Sequence, residues 1–443
     1  MQDHNQLKIK NLKSHIVKSI SGTIILRGAN VFFNMLTTIV LARALGAKGY
    51  GIYSYAMVIL QFLVVFSSLG LPLFIVKETA INKEKEHWDL IKGIYLWSTK
   101  LSLGSSIFLA IIVGSVVFVF QQYFGEIICV TLLIGLLILP LNTLLRMQEA
   151  LLRGLSYVVH AQLPMRLVRA GLFPLLIVGY MLIENNFSPY TAMALCVFTF
   201  GVGLVFSLFL IKKMVNFQDM LPKFKTKVWM SSLWFFYFIE IADTIYDQVD
   251  MFLLGTIKGP EYVGIYRIAH RLSFIIALAT MSINVALSPT IAGLYAKKEK
   301  ELLQQIVTKR TRMLFLLVAP FAFTFIFWGG PIISYTFGPG FVPAKNPLAI
   351  LMNTQLIVVA IGPVRDLLNL TGFEQVTAKG LSFSVVFIIV LNLLLIPRWG
   401  YIGAATAAGI NMLVMELFFL MKTIQLTGIN PTILGRLSFF LGK

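Results

Sequence analysis

Charged side chains are scarce in this chain. Asp, Glu, Lys and Arg together make up 13% of its 443 residues, whereas 58% are hydrophobic, and the mean hydropathy is +0.83. So few polar side chains cannot cover the surface of a soluble protein of this size. The composition therefore excludes a soluble globular protein and predicts a polytopic membrane protein.

Cysteine and the common catalytic motifs are also rare or missing. The two cysteines, Cys129 and Cys196, lie within apolar runs and lack CxxC spacing, so neither a disulfide framework nor a metal site is indicated. No phosphate-binding P-loop, nucleophile elbow or HExxH zinc motif is present. We therefore predict a protein that is not an enzyme, with no catalytic residue, metal or cofactor. Its energy would come from an ion gradient, from substrate supply or from a partner.

The N-terminus lacks the apolar core of a signal peptide, since its first twenty residues are too polar. Ile9, Leu12, Ile16 and Ile20 instead recur at helical spacing among lysines. This pattern is typical of a basic helix that lies on a membrane surface. We predict that residues 1–21 form a cytoplasmic amphipathic N-terminus.

The rest of the chain is a series of apolar segments, each long enough to cross a bilayer. They lie near residues 22–45, 53–76, 91–119, 125–146, 158–183, 190–211, 229–256, 262–294, 311–336, 344–370, 376–397 and 400–421. Twelve spans place both termini on the same side of the membrane. The segments predict an all-α protein with a six-helix bundle at 22–214, a cytoplasmic linker at 215–228, a second six-helix bundle at 229–425 and a tail at 426–443.

Positive charge is concentrated in alternate loops. The net charge of +18 would by itself suit a nucleic-acid-binding protein. With the N-terminus in the cytoplasm, however, the inward segments hold 25 Lys and Arg residues and the outward loops hold only four. The positive-inside rule accounts for this asymmetry, so we expect no nucleic acid and place both termini in the cytoplasm of a plasma membrane. The outward loops are too short to build an external catalytic domain.

The two halves of the chain resemble each other. Leu45-Gly46 followed by Tyr50-Gly51-Ile52-Tyr53 reappears as Leu254-Gly255 followed by Val263-Gly264-Ile265-Tyr266. The offset is 209 residues at the first glycine and 213 at the tyrosine. Matches in the same order at nearly constant offset predict two halves of like topology, related by an axis along the membrane normal.

One predicted span carries an acidic stripe, which is costly inside a bilayer and therefore points to function. At 100° per residue, its four carboxylates fall within a sector of about 80° on one helix face. The four are Glu240, Asp243, Asp247 and Asp250.

A break near residues 256–261 suggests that this span and the next form an antiparallel hairpin. If the chain reverses direction between residues 258 and 259, Asp250 lies level with Arg267 across the hairpin, and Asp247 lies level with His270 and Arg271. These pairs have two interpretations, mutual neutralisation or function. Glu240 and Asp243 have no cation level with them on the hairpin. We therefore favour them as the site of a coupling proton or sodium ion, within a candidate ion-coupling set that comprises the whole stripe.

Cations also remain at membrane depth after the loops are removed. We take seven as candidate substrate-binding residues, because guanidinium groups bind phosphate oxygens in two-pronged contacts. The alternative is that individual cations reach out to lipid headgroups or satisfy helix ends. Arg365 is left out because it adjoins Asp366 at a helix end. The seven are Arg27, Arg43, Lys100, Arg166, Arg169, Arg267 and Arg271.

The repeated motifs resemble those of a known family. Leu41-Ala42-Arg43-Ala44-Leu45-Gly46 and Asp250-x-Phe252-Leu253-Leu254-Gly255 are similar to segments of bacterial polysaccharide flippases. These are O-antigen-type translocases of the multidrug/oligosaccharidyl-lipid/polysaccharide exporter superfamily. The resemblance implies two six-helix bundles around a central cavity that opens alternately to either side.

The resemblance also implies a substrate and partners. The substrate would be an undecaprenyl-pyrophosphate-linked oligosaccharide used in lipopolysaccharide synthesis, moved from the cytoplasmic to the periplasmic leaflet of the bacterial inner membrane. H⁺ or Na⁺ would drive the exchange. Partners would be membrane lipids, a polysaccharide polymerase and chain-length proteins.

Two alternatives stay open. The first is a drug/ion antiporter of the same superfamily, although a net cationic set of buried charges disfavours the export of organic cations. The second, from another class, is a membrane polysaccharide polymerase or ligase. Such enzymes need a sizeable external loop, which the short outward loops disfavour.

The orientation is testable by thiol labelling of intact cells. With both termini cytoplasmic, a cysteine at position 258 will react with an impermeant thiol reagent, whereas a cysteine at position 223 will react only after lysis. Both variants are made in a background with Cys129 and Cys196 replaced. Labelling at 223 but not at 258 would invert the topology.

Overall fold

The computed structural model describes residues 2–184, 186–217 and 220–435, and this part of the chain is helical without a strand. The first half contains α1 Gln2–Ser68, α2 Leu71–Glu84, α3 Trp88–Val119, α4 Gln121–Phe124, α5 Glu126–Gly135, α6 Ile138–Gly154, α7 Val158–Leu163, a π-helix Pro164–Arg169, α8 Ala170–Ile183 and α9 Pro189–Met214. The second half contains α10 Thr226–Lys258, α11 Pro260–Ala296, α12 Lys300–Phe337, a 3-10 helix Pro339–Ala344, α13 Lys345–Ile361, α14 Val364–Leu370 and α15 Glu374–Thr427.

Nine helical stretches of the described chain are long and apolar enough to cross a membrane. Two of these, Ile25–Ser68 and Glu374–Thr427, are 44 and 54 residues long. Each bends at a glycine with positive φ, Gly46 at 64° and Gly400 at 53°, a conformation that a side chain would strain. The protein is therefore a multi-pass membrane protein. The acidic helix α10 is not among the nine, because four carboxylates lower its hydropathy.

Several helices differ from the predicted spans at their ends. The segment predicted at 53–76 is broken at Leu69 and Gly70, which both have positive φ, so that α2 begins at Leu71. The segment predicted at 344–370 is broken between α13 and α14. Conversely, α6 continues to Gly154, eight residues beyond the predicted end at 146. Hydropathy locates apolar runs, but it does not detect a left-handed residue within a run or a polar continuation of a helix.

Two termini need separate mention. Residues 2–21 are helical and run into the first span without a break, as part of α1. In the predicted C-terminal tail, residues 436–443 lie outside the described residues, as do residues 218 and 219 of the predicted linker.

The described chain divides into two compact units. The first comprises the chain up to Leu45 together with Ala56–Thr244, and the second comprises Gly46–Tyr55 together with Ile245–Lys443. The core of the first unit joins Phe74, Ile91 and Leu151 to Trp229 near the start of α10. A core of the second unit joins Ile291, Val307, Leu367 and Ile429. Helix α10 thus contributes residues to both units.

Residues with positive φ recur along the two halves, which strengthens the repeat. Four residues of the first half each have a counterpart in the second half at a nearly constant separation. Gly46 and Gly259 are 213 residues apart, Glu86 and Lys298 are 212 apart, Gly125 and Gly338 are 213 apart, and Ser156 and Gly372 are 216 apart. The first pair corrects the sequence alignment of Gly46 with Gly255, since Gly255 lies inside α10. The glycine offset becomes 213, equal to that of the tyrosines.

Two repeat-equivalent glycines of the second unit pack on each other. A β-carbon placed on Gly264 would lie 2.8 Å from the carbonyl oxygen of Ala47 and 2.9 Å from Cα of Gly51. A β-carbon placed on Gly51 would lie 2.2 Å from the carbonyl oxygen of Pro260. Only glycine allows backbones in membrane helices to approach so closely.

This contact predicts opposite effects of alanine at two glycines. Gly264→Ala should destabilise the protein by about 1–3 kcal/mol, because the new methyl group overlaps backbone atoms that cannot move aside. Gly179→Ala in α8 is the matched control, since no atom lies within 4 Å of its β-carbon position. It should be neutral or stabilise by up to about 1 kcal/mol. Thermal unfolding of purified protein measures both, and an unchanged Gly264→Ala would refute the close approach.

Candidate functional site

A polar cavity lies inside the first unit, and we call it the N-cavity. Its volume is about 350 Å³. It contains two arginines, one carboxylate and two side-chain amides among apolar residues. The lining residues are Met57, Leu60, Gln61, Val64, Val65, Ile138, Asn142, Arg146, Glu149, Met165, Arg169, Phe200 and Thr244.

Helix α6 supplies the polar floor of the N-cavity. Asn142, Arg146 and Glu149 lie at i, i+4 and i+7, which places them on one helix face. Arg153 continues this face one turn further on, with Nη1 at 4.0 Å from Oε1 of Glu149. The sequence prediction missed Arg146 and Glu149, because it ended the span at 146 and counted Arg146 and Arg153 with a loop. The helical spacing of these polar residues was the signal that could have revealed the site.

Arg169 enters the N-cavity from the π-helix, a local widening that is frequent at functional sites. Its guanidinium carbon lies 4.6 Å from the ring centroid of Phe200, a cation–π contact. Its Nε is buried and has no hydrogen-bond partner in the described part of the chain. Arg169 therefore holds a charge at the cavity with a donor left for an anion.

Arg166 lies three residues earlier in the π-helix and is half-buried. It is within electrostatic range of Glu149, Arg27 and Arg153. Its carbonyl oxygen accepts a hydrogen bond of 3.3 Å from Nδ2 of Asn30 in α1. Arg166 thus contributes positive charge close to the N-cavity without lining it.

Glu240 forms an ion pair, contrary to the prediction that no cation accompanies it. Its carboxylate pairs with Nη2 of Arg146, and the Ser68 hydroxyl, 3.2 Å from both carboxylate oxygens, donates to it. Nη1 of Arg146 in turn donates to Ser68 Oγ over 3.3 Å. The prediction failed because it considered only the hairpin partner of α10, whereas the cation comes from α6.

A second cavity, the C-cavity, lies inside the second unit and has a volume of about 340 Å³. It brings together Asp247, Asp250, His270 and Arg271, as the hairpin prediction expected of Asp247 and its two partners. Helices α13 and α15 add amides and a hydroxyl. These additional polar residues are Thr354, Gln355 and Asn411.

The predicted ion pair between Asp250 and Arg267 is absent from the described structure. Asp250 is buried and accepts a 2.5 Å hydrogen bond from the Tyr266 hydroxyl and a 2.7 Å bond from the Met251 amide. Nη1 of Arg267 instead lies 3.8 Å from Sδ of Met251. The predicted register is thus correct to within one residue. The position of the chain reversal does not specify how each helix is rotated about its own axis. This rotation turns Tyr266 rather than Arg267 towards Asp250.

The remaining candidates lie elsewhere. Arg27, Arg43, Lys100 and Asp243 are exposed on their helices and line neither of these two cavities. Arg267 is half-buried beside Met251.

A third polar cluster was not predicted. Arg310 of α12 is buried and bonds through Nη2 to Asn284 of α11, which bonds to Asp366 of α14. The loop count placed Arg310 outside the membrane because six basic residues occur together at 297–312. Helix α12 begins at Lys300, however, and includes it.

The corrected repeat gives the first-half equivalents of the acidic stripe. At an offset of 213 they are Arg27, Asn30, Asn34 and Thr37. Asn34 and Thr37 bond to backbone carbonyl oxygens of their own helix. The first half is therefore polar at these positions but lacks the acids.

Solved structures define the class of protein. The inward-facing structure of a multidrug resistance MATE family transporter of the MOP superfamily matches with a TM-score of 0.72, at 13% identity over 90% of this chain and 96% of that one. The lipid II flippase MurJ matches with a TM-score of 0.66, at 14% identity over 92% of this chain and 87% of that one. The chain has the fold of this class of membrane transporters.

Sequence comparisons then define the family. The family model described as polysaccharide biosynthesis protein matches residues 16–295, so the chain belongs to that family. The MatE family model matches residues 236–394. The resemblance that the sequence motifs indicated is thereby confirmed at the level of the family.

Individual relatives carry related names. The chain is 26% identical over 178 residues to the probable low-salt glycan biosynthesis flippase Agl15 of Haloferax volcanii. The matched residues make up 40% of this chain and 37% of that protein. This match spans little more than a third of the relative's length. A putative O-antigen transporter of Shigella flexneri is 22% identical over 389 residues, 84% of this chain and 89% of that protein.

The hydrogen bond to Asp250 predicts which neighbour stabilises it. Tyr266→Phe removes the donor and leaves a buried carboxylate oxygen without it, at a cost of about 1–3 kcal/mol in unfolding free energy. Arg267→Ala should cost less, since the one hydrogen-bond partner of its guanidinium among the described residues is the thioether of Met251. Tyr262→Phe, at an exposed tyrosine of the same helix, is the control. A larger loss of thermal stability for Arg267→Ala than for Tyr266→Phe would reinstate the ion pair.

Proposed function

We propose that this protein moves an undecaprenyl-pyrophosphate-linked oligosaccharide from the cytoplasmic to the periplasmic leaflet of the bacterial inner membrane. The observation that carries the proposal is the N-cavity, where Arg146 and Arg169 lie among membrane helices. Family membership and relatives named as glycan flippases or an O-antigen transporter support it. The lipid tail stays in the bilayer while the headgroup crosses.

The N-cavity has the chemistry of a phosphate site. Guanidinium groups bind phosphate oxygens bidentately and keep their charge when partly desolvated. Arg169 offers a buried donor without a partner, and Asn142 and Gln61 offer amides for sugar hydroxyls. The volume suits a pyrophosphate with its first sugar, and lies in the range of small-ligand sites. Arg166 adds charge at the cavity. We propose that the other predicted cations contact the phosphates elsewhere on their way across the membrane. They are Arg27, Arg43, Lys100, Arg267 and Arg271.

We propose twelve spans in two six-helix bundles, at 22–214 and 229–425, around a central cavity. The nine apolar stretches support this number, because the two longest bend at Gly46 and Gly400 and are long enough to cross twice, and α10 adds one more. The recurrence of left-handed residues supports two like halves. The loop charges support cytoplasmic termini, with 215–228 as the linker.

We propose ion coupling through the acidic stripe of Glu240, Asp243, Asp247 and Asp250. Asp247 and Asp250 line the C-cavity together with amides and a hydroxyl, oxygen donors that suit Na⁺, while a carboxylate also binds H⁺. Asp243 is exposed on the same helix. A polysaccharide polymerase and chain-length proteins are the proposed partners that consume the exported units.

A drug/ion antiporter is the second candidate. It is favoured by the MatE match at 236–394 and by the TM-score of 0.72 to a multidrug transporter. The two arginines of the N-cavity, Arg146 and Arg169, argue for an anionic rather than a cationic substrate.

Complementation of a deletion strain tests the function. The strain should accumulate complete lipid-linked repeat units on the cytoplasmic side, and the wild-type gene should clear them. Arg169→Ala should reduce export about tenfold or more at normal protein levels, because a charge-assisted hydrogen bond contributes about 1.5–3 kcal/mol. Arg169→Lys should restore part of the activity, since lysine keeps the charge but not the fork.

The control is Arg153→Ala, which removes an exposed arginine outside the cavity lining. Export should stay at the wild-type level. Full export by Arg169→Ala would remove the phosphate site from the proposal. Normal lipid-linked sugars in the deletion strain, together with loss of organic-cation efflux, would establish the antiporter instead.

A further inference from the structure

Arg146 has two contacts that a single guanidinium cannot fully serve at once. It lines the N-cavity, where the proposed function places an anionic headgroup. It also pairs with Glu240 of α10, and both of its terminal nitrogens are used by Glu240 and Ser68. Each of these nitrogens keeps a second N–H, so an anion in the N-cavity and the carboxylate of Glu240 compete for the single positive charge of Arg146 rather than for one hydrogen-bond donor.

The two partners of this pair differ in access. The side chain of Arg146 is 29% exposed, whereas that of Glu240 is 8% exposed. Arg146 is thus reachable by a ligand while Glu240 is enclosed. Thr244, one turn after Glu240, lines the N-cavity, and its hydroxyl bonds to the Glu240 carbonyl oxygen at 2.9 Å. Glu240 does not itself line the N-cavity, but Arg146, the partner of its carboxylate, and Thr244 both do.

The pair is one of several contacts that hold a segment of α10, of which Trp229 and Leu233 also pack in the core of the first unit. Residues 226–244 of α10 belong to the first unit, where Phe236 packs edge-on against Phe74 of α2 with ring centroids 6.3 Å apart. Lys77 of α2 lies 5.7 Å from the same ring. Among these contacts only the Arg146–Glu240 pair neutralises a buried charge, and a buried carboxylate that loses its cation is strongly disfavoured.

We propose that Glu240 is a tethered competitor of the substrate: phosphate oxygens that enter the N-cavity take Arg146 from Glu240, and residues 226–244 of α10 then detach from α6. The inference rests on the proposed function for the nature of the ligand, and adds how its arrival is communicated to a helix. Detachment follows because Glu240, once left with Ser68 alone, gains by reaching water.

Pyrophosphate binding to the purified full chain in nanodiscs tests the competition. Glu240→Gln keeps the shape of the side chain but removes its charge, so it should bind inorganic pyrophosphate about tenfold more tightly than wild type, a typical size for coupled sites. Glu126→Gln is the matched control, with the same exchange of side chain at an exposed glutamate of α5 in the first unit. Its affinity should equal that of wild type.

Hydrogen exchange separates competition from a general change in the local field. In wild type, pyrophosphate should speed amide exchange in residues 226–244, and in Glu240→Gln exchange there should be fast without pyrophosphate. This measurement on wild type stands even if the variant is poorly folded. Tighter binding by Glu240→Gln with unchanged exchange in both proteins would mean that Glu240 weakens pyrophosphate binding through its charge without any detachment of residues 226–244. That result would overturn the proposal.

Loss of the headgroup site and loss of the competition give different binding results. Binding that Arg169→Ala abolishes, combined with equal affinities for wild type and Glu240→Gln, would leave the headgroup site intact and refute the competition. Absence of pyrophosphate binding to wild type would refute the headgroup site and the competition together.

Discussion

A charged group in the hydrocarbon core of a membrane has no water to bond with, so it must find its partners inside the protein. The buried carboxylates Glu240 and Asp250 obey that constraint with side-chain partners from other helices. Glu240 uses α1 and α6, whereas Asp250 uses a tyrosine of α11. Each partnership fixes one helix against another, and so the polar groups, although few, determine how the apolar helices pack.

The same constraint gives meaning to a donor that stays unpaired. Nε of Arg169 is buried beside the ring of Phe200 without an acceptor in the described residues. Such a group is costly unless something else supplies the acceptor. Arg169 lines the N-cavity together with a second arginine, Arg146, whose charge is neutralised by Glu240. The two arginines of the N-cavity thus differ, because only Arg146 forms an ion pair with a carboxylate among the described residues.

Much of the architecture was predictable, because burial of apolar length dominates the energetics of membrane helices. The helical fold, the apolar stretches and the family followed from hydropathy and from a few glycine and tyrosine positions. The arrangement of the candidate residues was predicted only in part. Arg169, Asp247 and Asp250 were among the candidates and line the two cavities, and the hairpin register was right to within one residue. Arg146 was missed because hydropathy assigns a basic residue near the end of an apolar run to the adjoining loop. Pairings such as Asp250 with Tyr266 depend on helix rotation, which sequence separation does not encode.

The contact between Gly51 and Gly264 also bears on the history of the chain. In a two-fold symmetric dimer, a residue near the axis meets its own copy in the other subunit. Here each glycine meets its counterpart from the other half, at an offset of 213 residues. This is the contact that gene duplication and fusion of a half-length, self-pairing ancestor would leave behind. The acids of α10, matched in the first half by Arg27, Asn30, Asn34 and Thr37, then record how the two copies diverged once they were joined.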